Sequence, residues 1–241
     1  MKYLFIFLSI LLTSDNINIE NIWIYVMAGQ SNMSGRALIY KSDTLTSSRI
    51  LMIDENNKII KAQEPLHRYE PNQGLDCGVP FANRLLSRVA KNITILLVPC
   101  AISGTSIDEW LNNKSHKNIK LLSNFEDKVK IASRYGTIKG ILWHQGEANA
   151  NEKGIINYEN KLKFLFYKFK KITNCPIYSG EIGKFTNKRF GKYTNEINSI
   201  IRKVNNNLVK TDDFTDIGDS LHFDSKSERL FGIRLADKIK L

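Results

Sequence analysis

The segment IWIYVMAGQSNMSGRA, Ile22–Ala37, joins two kinds of sequence. It opens on an apolar run, which suits a strand buried on both faces of a sheet. It then turns polar at Gly29-Gln30-Ser31-Asn32-Met33-Ser34-Gly35, where two glycines permit a sharp bend. Three further runs have strand length, Ile93–Val98, Ile138–Trp143 and Ile177–Ile182, and Phe214–Ile217 is a weaker candidate. Between the runs lie apolar stripes at helical spacing. They are Phe81, Leu85 and Val89; Leu122, Phe125, Val129 and Ala132; Leu162, Leu165, Phe166 and Phe169; Ile197, Ile200, Ile201 and Val204; and Phe231, Leu235 and Ile239. Strand and helix alternate, so the class is α/β, a mostly parallel sheet with helices on both faces. In such sheets functional residues gather beyond the carboxyl ends of the strands. Polar segments should therefore follow the apolar runs, and they do.

The chain has 241 residues, 42% of them hydrophobic and 24% charged, an ordinary globular composition with enough apolar residues for a sizeable core. No repeat and no Pro/Gly/Ser-rich linker divides it, so residues 20–241 are expected to form one domain. The formal net charge is +11. Lysines and arginines are spread along the chain, which reads as a solvated basic surface; an anionic glycan or cell surface is the sharper alternative, and no nucleic-acid partner is expected. Residues 1–14, MKYLFIFLSILLTS, combine one lysine, an apolar stretch and small polar residues, the pattern of a signal peptide. Export follows as an expectation, with an uncleaved membrane anchor or a buried first strand as the other readings. Cys77, Cys100 and Cys175 lack metal-ligand spacing; one disulfide is possible in an exported chain, but buried free thiols are preferred. No metal-ligand cluster and no phosphate loop is present, so neither metal nor cofactor is expected.

Four polar segments follow strand-like runs. Ser31 sits on the first, outside any Gly-x-Ser-x-Gly elbow. Gly104, within Cys100–Ser106, can offer an unobstructed backbone N–H to an oxyanion. Trp143-His144-Gln145-Gly146-Glu147-Ala148-Asn149 crowds an imidazole, two amides and a carboxylate beside a buried strand, where they need partners or a site. Asp219 and His222 stand three residues apart, close enough for the carboxylate to hold one ring nitrogen and free the other as a base.

The order Ser…Gly…Gln…Asp-x-x-His resembles the SGNH hydrolase superfamily, and more narrowly the sialate O-acetylesterase and carbohydrate esterase family six group. The resemblance rests on AGQSNMSGR (28–36), GVPFANRLL (78–86), PCAISGTSIDEW (99–110), WHQGEAN (143–149) and DSLHF (219–223), and runs from about Trp23 to the end. It implies a three-layer α/β/α sandwich of flavodoxin-like type. It implies hydrolysis of an O-acetyl ester on a sugar, with Ser31 as nucleophile, His222 as base and Asp219 orienting it. By the same resemblance the oxyanion donors would be the Ser31 and Gly104 N–H groups and the Gln145 amide. Glu147 is the rival for the acid behind His222. Gln30, Asn32, Glu147, Arg36 and Asn149, with Trp110, are candidates to support the site or line the cleft. His144 is expected to make a structural hydrogen bond, and His67 and His116, with no motif around them, to lie on the surface. Ser103 stands where such proteins usually have glycine, which narrows the pocket or adds a contact. The rival functions are a silent carbohydrate-binding protein on the same fold, or a lipase or thioesterase of the same superfamily.

Overall fold

The Ile22–Ala37 segment forms the central strand β1 (Ile22–Gly29) and, one residue later, the short helix α1 (Ser31–Ser34). The structure is a computed structural model describing residues 19–40 and 47–241. The expected signal segment, residues 1–14, lies outside the described residues. The remaining strands are β2 (Ile50–Ile53), β3 (Ile59–Lys61), β4 (Thr94–Pro99), β5 (Ser115–His116), β6 (Ile119–Lys120), β7 (Thr137–His144), β8 (Ile177–Gly180) and β9 (Leu208–Val209). The remaining helices are α2 (Gly78–Leu86), α3 (Ile107–Leu111), α4 (Leu121–Ala132), α5 (Tyr158–Thr173), α6 (Asn187–Phe190), α7 (Lys192–Val204) and α8 (Ser225–Asp237).

Seven strands make one sheet in the order β3-β2-β4-β1-β7-β8-β9; every pairing in it is parallel except β2 with β3. β1 lies between β4 and β7, so its carboxyl end opens where the chain changes direction across the sheet, the usual place for a site in this architecture. Along β1 the side chains alternate between two cores. Ile22, Ile24, Val26 and Ala28 join Phe125 and Val129 of α4, Leu162 and Phe169 of α5, and Ile197 and Ile201 of α7. Tyr25 and Met27 join Phe81 and Leu85 of α2 and Phe231 and Leu235 of α8. The molecule is thus a three-layer α/β/α sandwich. A strand covered on both sides has no polar face, which is why β1, β4 and β7 read as continuous apolar runs.

One expectation needs correction, and one element was not expected. Phe214–Ile217 is not a strand: only Asp216 pairs, in an isolated bridge with Phe223, and Phe214 packs edge-on against the Phe223 ring. The edge strand is instead β9. The β2–β3 hairpin passed unnoticed in the sequence. The cysteines are free, as preferred: Cys77 and Cys100 are buried, Cys175 is half-buried, and burial pushes the Cys100 thiol up to about 12. Among the described residues, no helix is long and apolar enough to cross a membrane, and no cluster of His, Cys, Asp or Glu could hold a metal ion.

Candidate active site

Ser31 stands at the carboxyl end of β1 because the chain turns there within two residues. Gly29 has φ +136°, and a Cβ on it would lie 2.0 Å from the His144 carbonyl oxygen of β7. Only glycine fits that approach. The Gln30 N–H then donates to the same oxygen at 2.9 Å, which fixes the turn. Gln30 is itself a tie: its Oε1 accepts from Ala148 N at 3.2 Å and from the Gln145 amide at 3.2 Å. Asn32, fully buried, ties the other side. Its Nδ2 donates to Glu147 Oε1 at 2.7 Å and to the Leu221 carbonyl at 3.2 Å, and its Oδ1 accepts from Phe223 N at 3.0 Å. The two residues beside Ser31 therefore fasten it to the β7 loop and to both neighbours of His222.

The His222 loop is shaped locally. Asp219 Oδ1 accepts from the Leu221 and His222 N–H groups, both at 2.9 Å, and Asp219 Oδ2 meets His222 Nδ1 at 2.5 Å. A proton on Nδ1 facing the carboxylate leaves Nε2 as an acceptor, and Nε2 lies 3.0 Å from Ser31 Oγ. Partial burial raises the Asp219 carboxyl, but its hydrogen bonds from His222 and Leu221 outweigh that and hold it below the usual range. Phe223 anchors the loop by edge contacts to His144 and Phe231.

Ser31 and His222 open onto a cleft of about 460 Å³ whose walls also include Arg36, Gly104, Glu147 and Arg189. Among the described residues, no hydrogen bond is made by the Ser31 or Gly104 N–H. Gly104 has φ +79°, a turn conformation that suits glycine. The Ser103 N–H is used differently: it donates to Glu70 Oε2 at 3.1 Å. The Ser103 hydroxyl lies 3.0 Å from Ser34 Oγ and also takes a hydrogen bond from Arg36, which pairs with Glu70 at 2.9 Å. Burial raises the Glu70 carboxyl, but hydrogen bonds from Ser103 and the Lys117 and Arg36 cations more than offset it, so Glu70 sits below the usual range. The extra hydroxyl thus adds a contact that joins the Gly104 turn to the Ser31 loop. Nothing in the sequence around Glu70 marked it.

Several candidates sit elsewhere than expected. Gln145 is fully buried and outside the cleft; its amide N–H groups face Gln30, Thr105 and Asn149 at 3.2, 3.3 and 2.7 Å, so the third oxyanion donor expected from it is not in place. Asn149 is buried and bonds Ile107 N and the Gly154 carbonyl, and Trp110 is core, its Nε1–H on Thr105 Oγ1. Glu147 bonds Asn32 and lies 3.6 Å from His144, not against His222. His144 bonds the Glu181 carbonyl at 3.0 Å, as expected of a structural residue. His67 is not on the surface: it is fully buried, 3.1 Å from Asp76. His116 is only partly exposed and pairs with Glu109 at 2.8 Å. A larger cavity of about 650 Å³ lies at the β9 edge, lined by Arg202, Lys210 and Arg234 among others, far from Ser31 in the fold and without a nucleophile.

Comparison with known proteins adds the family. The model of the family described as "Carbohydrate esterase, sialic acid-specific acetylesterase" matches residues 21–240. A probable carbohydrate esterase of Arabidopsis thaliana is 30% identical over 173 residues, 64% of this chain and 65% of that protein, so the match spans just under two thirds of the relative's length. A solved structure of an Arabidopsis thaliana protein is 25% identical, with a TM-score of 0.77 over 90% of this chain and 97% of that one. The crystal structure of NanS has a TM-score of 0.72 at 16% identity, covering 90% and 96%, a likeness of fold.

Proposed function

The chain belongs to the carbohydrate esterase, sialic acid-specific acetylesterase family, and from that premise we propose that it is a serine esterase removing O-acetyl groups from carbohydrates. One observation carries the reading: the unbroken chain from Asp219 through His222 to Ser31 Oγ, at 2.5 and 3.0 Å, on the wall of an open cleft. His222 Nε2 takes the Ser31 proton as Oγ attacks the acetyl carbonyl. The negative oxygen is met by the Ser31 and Gly104 N–H groups. Each such donor is worth about 3 kcal/mol in the transition state. The tetrahedral adduct collapses, His222 gives its proton to the departing sugar oxygen, and acetyl-Ser31 remains. Water, deprotonated by His222, attacks that ester; acetate leaves and Ser31 recovers its proton. Asp219, ionised throughout, holds the ring and offsets its positive charge.

O-acetylated sialic acids and acetylated polysaccharides are the candidate substrates, and export through residues 1–14 belongs to the same proposal. A lipase or thioesterase of the same superfamily is the rival reading, and the family description favours the acetyl ester. The test is hydrolysis of chromogenic phenyl esters of increasing acyl length. The expected result is a rate highest for acetate and abolished in Ser31→Ala. Equal rates in the variant and the native protein overturn the esterase reading; faster turnover of long acyl chains overturns the acetyl preference.

A further inference from the structure

Four charged or chargeable side chains line the cleft, and three are already engaged. Arg36 pairs with Glu70, Glu147 accepts from Asn32 and is almost wholly buried, and His222 spans Asp219 and Ser31. The fourth is Arg189, on the four-residue helix α6. It is exposed, and among the described residues no carboxylate pairs with it. Its guanidinium carbon stands 5.7 Å from the ring centroid of Phe190, which lines the same cleft. The segment from 183 to 193 carries Lys184, Lys188, Arg189 and Lys192 and no acid of its own, and Lys184 pairs with Asp212 at 2.5 Å. Of these four cations only Arg189 lines the cleft.

We infer that Arg189 is a specificity-determining residue, which reads a carboxylate on the acetylated sugar. The inference rests on the esterase reading and decides, within it, between acidic and neutral sugars. A guanidinium presents paired donors that match a carboxylate in two parallel hydrogen bonds, which a neutral sugar cannot supply. A cation standing unpaired at the mouth of the site meets such a substrate without first breaking an ion pair of its own. Lys188 and Lys192 nearby in sequence add positive charge that draws anions, an effect that fades with salt.

The experiment compares an O-acetylated sugar acid with the same sugar carrying a carboxamide in place of the carboxylate. The readout is the ratio of kcat/KM for acid over amide, which is independent of the fraction of protein folded. Native protein is expected to favour the acid. Arg189→Gln should lower the ratio about tenfold, mainly through KM for the acid, as expected for losing a hydrogen bond to a charged group. Arg189→Lys should keep part of the preference. Lys188→Gln, which removes a neighbouring charge outside the cleft, should leave the ratio near the native value. A native ratio near one, an unchanged ratio in Arg189→Gln, or an equal fall in Lys188→Gln overturns the assignment, even where Ser31-dependent turnover of a chromogenic acetyl ester leaves the esterase reading standing. Absence of any Ser31-dependent turnover overturns both.

Discussion

His222 and His67 each present Nδ1 to an aspartate, at 2.5 Å from Asp219 and 3.1 Å from Asp76. Beyond that contact they have nothing in common. His222 is 17% exposed at its side chain, stands in an open cleft, and brings Nε2 to a serine hydroxyl. His67 is wholly buried, its Nε2 meets no hydrogen-bond partner among the described residues, and the other oxygen of Asp76 accepts from Gly78 N at the start of α2. The protein's other two histidines also face carboxylates, His116 at Glu109 and His144 near Glu147. A histidine held by a carboxylate is therefore a common packing solution in this chain. What separates the His222 pair is the serine hydroxyl on its far nitrogen; exposure alone does not, since the His116 side chain is 24% exposed and that of His222 17%.

The strongest way to break that distinction is to remove each histidine in turn. His222→Ala should lower kcat for a chromogenic acetyl ester by about 10⁴-fold or more, as for other members of serine triads, and leave the melting temperature near native. His67→Ala should do the reverse. It leaves Asp76 buried without its partner, a change of about 3 kcal/mol in stability, with kcat of the folded protein within a few-fold. Steady-state rates and denaturant melts on both variants check this. A rate loss in His67→Ala as large as in His222→Ala would erase the difference.

The two aspartates sharpen it further. Asp219→Asn should reduce kcat about 10³-fold, because an amide favours the wrong tautomer of His222. A smaller loss is expected than for a fully buried acid, since Asp219 is 36% exposed and water can replace part of its role. Asp76→Asn should leave kcat within a few-fold. Next comes Asn32→Ala, which cuts the ties from the Ser31 loop to Leu221, Phe223 and Glu147. Small misplacement of reacting groups is costly, and a fall of about 10²-fold in kcat with little change in KM is expected. An unchanged kcat would mean that Asp219 alone positions His222.

How much of this was legible follows from where the determinants lie. The apolar strands β1, β4 and β7 were legible because burial on both faces leaves no polar residue to interrupt them. β2 and β3 were not, since each is short and they are joined by Asp54-Glu55-Asn56-Asn57-Lys58, which reads as loop. Phe214 gave a strand signal for another reason: it is an aromatic packed among Phe223 and Phe231 rather than a ladder residue. Asp219 and His222 were readable because their contact is local. Gln145 was misread because its partners Gln30, Thr105 and Asn149 come from three separate turns, which no spacing reveals. Arg189 and Glu70 reach the site from segments with no motif at all.

A last test leaves the rate aside and concerns the buried acid behind the site. Glu228 is wholly buried and, among the described residues, nothing hydrogen-bonds its carboxyl oxygens. Burial first, then the nearby Asp76, Glu147 and Asp224, push its carboxyl well above the usual range. The unfolded chain ionises at that position while the folded one keeps its proton, so native stability falls as pH rises above the ordinary glutamate range. Glu228→Gln lacks that slope. Its stability relative to the native protein should therefore increase as pH rises above about 4, by at most about 1.4 kcal/mol per pH unit. Parallel stability curves from denaturant melts would show Glu228 to be ionised in the fold.

Labelling with a serine-reactive fluorophosphonate, followed by peptide mass mapping, tests the central claim most directly. The account predicts a single label on Ser31, formed at the native rate in His67→Ala and at least a hundredfold more slowly in His222→Ala, in line with the loss of a general base. A label on any other serine, or native-rate labelling of Ser31 without His222, would contradict it.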